Sequence, residues 1–198
     1  MPSLPNLSRA IEARDPSSRG HSARVTAYAM AIARRLDCAD AQLEAIRLGG
    51  PVHDIGKLTI PDEVLLKPGP LEASEHELVR AHPEAGARLL RGIERLEDAI
   101  VCVLYHHERW DGGGYPLGLA GEEIPLEARV LAVADAFDAM TTSRPYRRAL
   151  AERRAIAELE RCAGTQFDPV VVDTFASVWR DGELDADTPS GTLSAAAL

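Results

Sequence analysis

The sequence predicts an all-α fold, a bundle of about seven to nine helices, and three observations carry that expectation. Ala, Leu and Arg are abundant while only 5% of residues are aromatic, runs of Val, Ile and Thr are scarce, and apolar residues recur at helical rather than alternating spacing. At 198 residues the chain can bury one continuous core without disulfides, so one main unit over 15–181 is expected. Residues 1–14 would form a preceding helix or tail and 182–198 a flexible acidic tail.

Leu7, Ala10, Ile11 and Arg14 mark a short first helix, closed at Asp15-Pro16, where the fixed proline ring suits the first turn of the next helix. In that second helix Val25, Tyr28, Ala29, Ile32 and Leu36 form one stripe. His21, one turn before Val25, lies on the same stripe and should face the core. Further helices are expected over 39–48, 73–81, 83–91, 96–108, 126–141, 148–162 and 168–180. Breaks fall at Gly49-Gly50-Pro51, at Lys67-Pro68-Gly69-Pro70 and in a long loop from Asp111 to Pro116. The last segment, DGELDADTPSGTLSAAAL, has too little apolar surface to offset the entropy of ordering it.

Composition narrows the function classes. Cys38, Cys102 and Cys162 are odd in number, widely spaced and without a CxxC pair, which fits reduced thiols in a cytoplasmic protein. No apolar run approaches the ~20 residues of a membrane helix, and the start lacks the order of a signal peptide, so neither a membrane nor a secretory role is expected. A net charge of -9 opposes non-specific binding to nucleic acid. A phosphate ligand would need local positive charge.

Six histidines, at 21, 53, 76, 82, 106 and 107, lie mostly in or beside apolar stretches. His53-Asp54 follows Pro51-Val52, Asp135 sits inside VLAVADAF, and His106-His107 ends the run AIVCVLY. A single buried imidazole or carboxylate is more often a satisfied core residue than a ligand. The whole set favours a cation, because neutral imidazole and carboxylate are both good metal ligands and one ion satisfies several of them.

Residues 21–148 resemble the HD-GYP subgroup of the HD metal-dependent phosphohydrolases. The resemblance rests on HSARV from His21, HDIGK from His53, LLKPGPL, HPEAG from His82, HHERWDGGGYP from His106 and ADAFDAMTTSRPYR from Ala134, in that order. It implies an HD-domain helical bundle, with 15–181 as the catalytic domain. His21, His53, Asp54 and Asp135 would hold one divalent ion, Asp54 would bridge to a second, and His82, His106 and His107 would complete that second site. His76, between Glu75 and Glu77, matches no ligand position and reads as a surface residue. Some relatives carry a Glu four residues before the first ligand histidine for a third metal; here that position is Ser17, which favours two metals. The resemblance favours iron or manganese, while the ligand types also suit zinc, nickel or cobalt.

Two ions about 3.5–4 Å apart can share a water, make it hydroxide and stabilise phosphoryl oxygens, so no serine or cysteine nucleophile is needed. Asp54 and Lys57 are the expected catalytic residues, and Lys57, Tyr115, Arg144 and Arg147 the expected substrate contacts. Gly114-Tyr115-Pro116 matches the motif that names the subgroup, which is associated with specificity and with diguanylate cyclase domains. Trp110, beside that loop, could equally belong to the core. The resulting expectation is a phosphodiesterase that converts cyclic di-GMP to linear pGpG, regulated by a cyclase domain or a separate protein. A low-turnover cyclic dinucleotide receptor, and a hydrolase of another cyclic dinucleotide or nucleotide, remain as alternatives.

Overall fold

The computed structural model describes residues 4–14, 19–143 and 148–185. Among them there is no β-strand; pairing is limited to isolated bridges between Asp111 and Ala120 and between Ala163 and Phe167. The helices are α1 (Leu4–Arg14), α2 (His21–Arg35), α3 (Asp40–Gly49), α4 (Asp62–Leu65), α5 (Ala73–Arg80), α6 (His82–Leu90), α7 (Ile100–Tyr105), α8 (Leu126–Thr141), α9 (Glu152–Arg161) and α10 (Pro169–Arg180). α4 is a single turn, and two 3₁₀ segments, Gly50–Val52 and Ile55–Thr59, flank His53-Asp54. None of these helices is long and apolar enough to cross a membrane.

Two apolar clusters hold the bundle. The larger joins α2, α8, α9 and α10: Val25, Ile32, Phe137, Leu159 and Phe175 are buried, and Phe137 meets Tyr28 and Phe175 edge-on with ring centroids 5.4 and 4.8 Å apart. α10 starts where Asp168 accepts a hydrogen bond from Val170 N (2.8 Å), with Pro169 at the first helical position. The smaller cluster joins Ile11, Leu48, Val52, Ile55, Leu90, Leu96 and Val103. Within it α6 lies directly on the 55–59 segment, and the approach requires Gly56, where a Cβ would stand 1.8 Å from the His82 carbonyl oxygen.

Three expectations shift. The helix expected over 96–108 occupies only Ile100–Tyr105. His106 Nδ1 donates to the Cys102 and Val103 carbonyls (3.2 and 3.0 Å), the acceptors a continuing helix would have used. α2 begins at His21, after Gly20 in the left-handed region (φ 69°), rather than near Pro16, which with Asp15 lies outside the described residues. Leu184, in the segment expected to be a tail, is buried against the larger cluster. At the other end, Arg14 ties α1 to the Leu58 and Ile60 carbonyls (2.6 and 2.8 Å).

Candidate metal centre

The seven side chains singled out from the sequence come from elements packed in both clusters and meet at one place. α2 presents His21 at its first residue and α8 presents Asp135 midway, with His21 Nε2 3.2 Å from Asp135 Oδ1. His53 and Asp54 occupy the joint between the two 3₁₀ segments, His82 opens α6, and His106 and His107 follow the last residue of α7. Ligand atoms of His21, His53 and Asp54 lie within 4.8 Å of one another, and so do those of Asp54, His82, His106 and His107. Asp54 is the member common to both groups.

The hydrogen bonds show which ring nitrogens remain for a ligand. His53 Nδ1 donates to Gly50 O (2.8 Å), His82 Nδ1 to Val79 O (2.7 Å) and His106 Nδ1 to Val103 O (3.0 Å). A carbonyl only accepts, so each Nδ1 carries the proton and each Nε2 turns a lone pair inward. There Nε2 of His82 and Nε2 of His106 stand 3.4 Å apart, and His82 Nε2 is 3.3 Å from Asp54 Oδ1. Among the described residues, His53 Nε2 is buried without a hydrogen-bond partner. Facing lone pairs, an orphaned imidazole nitrogen and a shared carboxylate fit divalent cations.

Electrostatics agree with that fit. Burial, with the neighbouring imidazoles, holds His106 well below the usual histidine pKa and pushes His107 down to about 4, so both are neutral and able to donate a lone pair. Burial alone would raise the Asp54 carboxyl, but Lys57 and His53 outweigh it and hold the group well below the carboxylate range. Burial would likewise depress His21, yet hydrogen bonds to Asp135 and Asp138 overcome it and lift its pKa to about 9.

Around the cluster, Lys57 Nζ lies 2.6 Å from Asp54 Oδ2. A cavity of about 350 Å³ opens beside His106, His107 and Asp135, walled by Tyr115 and Arg80. The Tyr115 ring stacks on His107, with centroids 4.9 Å apart and planes at 26°. Gly114 is required there, because a Cβ would come within 2.4 Å of Arg109 N. His76 is exposed, and Trp110 is half-buried under the Arg129 guanidinium. Arg144, Arg147 and Ser17 lie outside the described residues.

Three residues here were not singled out from the sequence. Buried Asp138 accepts from His21 Nδ1 (2.7 Å) and from Arg24 Nη2 (3.1 Å), fixing the imidazole so that Nε2 faces Asp135. Asp138 does stand one turn after Asp135, a spacing that puts both on one face. Buried Glu108 accepts from Leu117 N (2.7 Å) and Leu119 N (3.1 Å) and so closes the loop that carries Tyr115. Arg80 sets its guanidinium 4.7 Å from the centre of the Tyr115 ring.

Residues 5–171 match the HD domain family. The chain is 44% identical over 172 residues to the cyclic di-GMP phosphodiesterase response regulator RpfG of Xanthomonas campestris, covering 86% of this chain and 46% of that protein. It is 36% identical over 176 residues to the 3′3′-cGAMP-specific phosphodiesterase 2 of Vibrio cholerae, covering 88% and 34%. The chain thus spans about half the length, or less, of these curated relatives. A cyclic GMP-AMP phosphodiesterase of Vibrio cholerae, V-cGAP3, shares the fold with a TM-score of 0.71 at 20% identity, over 90% of this chain and 48% of that one.

Proposed function

The chain belongs to the HD-domain family, in its HD-GYP form, and on that premise we propose that it is a metal-dependent phosphodiesterase that opens cyclic di-GMP to linear pGpG. The observation that supports this most is one buried carboxylate, Asp54, common to two groups of inward-facing imidazoles. The expected catalytic unit, 15–181, contains all of these side chains.

In this reading His21, His53, Asp54 and Asp135 hold one divalent ion, and Asp54, His82, His106 and His107 a second, with iron or manganese preferred. When bound, such ions supply Lewis acidity to phosphoryl oxygens and make water a better nucleophile near neutral pH. The chain's own part is positioning and charge. Backbone carbonyls lock the imidazoles of His53, His82 and His106, and Asp138 locks His21. Lys57 holds the shared carboxylate ionised at 2.6 Å and brings an ammonium within reach of a phosphoryl oxygen. Tyr115, seated on His107, forms a wall of the cavity that would receive the nucleotide. The expected phosphate contacts of Arg144 and Arg147 belong to this proposal, as does control by a cyclase domain or a separate protein.

The test is direct. Protein loaded with iron or manganese is incubated with cyclic di-GMP and the products are separated. Linear pGpG is expected, and the absence of any linear product, despite bound metal, would overturn the reading. One relative bears the name of a 3′3′-cGAMP-specific enzyme, so cyclic GMP-AMP is the second substrate to compare. Faster turnover of it at equal metal content would transfer the assignment to that nucleotide.

A further inference from the structure

We propose that Arg80 is a substrate-binding residue whose guanidinium grips the phosphodiester that is not being cut, an inference that rests on the cyclic dinucleotide reading above. Arg80 is the last residue of α5, exposed, and lines the same cavity as His106, His107 and Asp135. Its guanidinium lies over the Tyr115 ring, and Tyr115 is stacked on His107, so the three form a continuous shelf from the imidazole cluster to the cavity rim.

Stacking on a ring engages the flat face of a guanidinium and leaves its N–H donors free in the plane. No carboxylate pairs with Arg80 among the described residues. Arg109, the other arginine on this cavity among the described residues, is engaged by both oxygens of Asp111 (3.0 and 2.6 Å). Arg80 therefore offers the cavity an unneutralised guanidinium, a group whose donors match two non-bridging phosphate oxygens.

The charge balance gives that guanidinium a purpose. A cyclic dinucleotide carries two anionic phosphodiesters, and the imidazole and carboxylate cluster can serve one of them. The second would enter a chain of net charge -9 and needs its own cation. Among the described residues Arg80 is the unpaired arginine on this cavity that meets that need, beside the contacts proposed for Arg144 and Arg147, and because it touches the phosphate remote from the chemistry it acts on binding more than on turnover.

The experiment compares wild type with Arg80→Met and Arg80→Lys as metal-loaded protein, on cyclic di-GMP and on bis(p-nitrophenyl) phosphate, which has a single phosphodiester. For Arg80→Met the KM for cyclic di-GMP should rise about tenfold or more, with kcat moving much less and metal content intact. The loss in kcat/KM should be at least about fivefold greater on the dinucleotide than on the simple diester, and Arg80→Lys should fall between, keeping charge but not the fork. An unchanged KM for cyclic di-GMP overturns the proposal. Equal losses on both substrates also overturn it, since Arg80 would then act on the centre through Tyr115. Wild-type protein that holds metal and cleaves the simple diester, yet neither binds nor opens a cyclic dinucleotide, overturns the proposed function and this inference together.

Discussion

The imidazoles of His82 and His106 face each other through Nε2 atoms 3.4 Å apart while their Nδ1 atoms are bound to backbone carbonyls, so two lone pairs confront one another in a buried space. Without a cation that contact is unfavourable, and with one it becomes a ligand pair. Metal binding should therefore stabilise the fold. At ~100 times Kd the gain is about 2.7 kcal/mol, which for a chain of this size raises Tm by about 5–10 °C. Calorimetry of chelated and reloaded protein checks this, and identical melting curves would contradict it.

Asp138 holds His21 from the side opposite Asp135 and also receives Arg24. Asp138→Asn keeps the shape but removes the charge, freeing the imidazole to adopt the other tautomer. Metal affinity should fall by about 10–100-fold, read by competition with a chelator of known affinity. The fold should survive, since the buried apolar neighbours are untouched.

The path from sequence to site explains which of these residues could be named in advance. His53, Asp54, His106, His107 and Asp135 lie in or beside apolar stretches, where polar groups must meet something, while the full set, His21 and His82 included, is what the resemblance to the HD-GYP motifs implies. Asp138 interrupts one too, but its partner His21 is 117 positions away and no local pattern links them. Glu108 is bound to the amides of Leu117 and Leu119, and a backbone amide leaves no mark on the sequence. The overlong helix through 96–108 has a related origin: no proline or glycine marks a stop between Leu96 and Glu108, and only the folded chain reveals that a histidine side chain takes the carbonyls. Helix existence followed periodicity best in α2, α8, α9 and α10, whose stripes are buried in the larger cluster, whereas ends depended on such local competition.

Gly56 sets the distance between the segment bearing Asp54 and the start of α6. A methyl there would meet the His82 carbonyl at 1.8 Å, and that oxygen is backbone, so it can retreat only if α6 moves. Gly56→Ala should cost about 1–3 kcal/mol in urea unfolding, as overpacking does. Metal content should drop with it, because moving α6 withdraws His82 Nε2 from Asp54, now 3.3 Å away. A variant of normal stability and metal content would show that the two segments are not held at this spacing.

Glu108 should govern the loop without touching metal. Its two oxygens accept from Leu117 N and Leu119 N, and this anchoring, with the bond from Tyr115 N to His107 O (3.2 Å), keeps Tyr115 against His107. In Glu108→Ala both amides lose their partner, a penalty of about 1–3 kcal/mol for each amide that stays buried, unless the loop opens to water. Opening is the cheaper response because Leu117 is exposed. The expected result is accelerated hydrogen exchange at the amides of Leu117 and Leu119, with Tm lowered only slightly and metal retained. Since Tyr115 and the Arg80 resting on it would lose their fixed place, KM for the cyclic dinucleotide should rise in the same variant. Glu108→Gln, which keeps one acceptor, should be milder on both measures. Exchange rates equal to wild type in Glu108→Ala would mean that the loop is held by other contacts, such as the Asp111–Ala120 bridge.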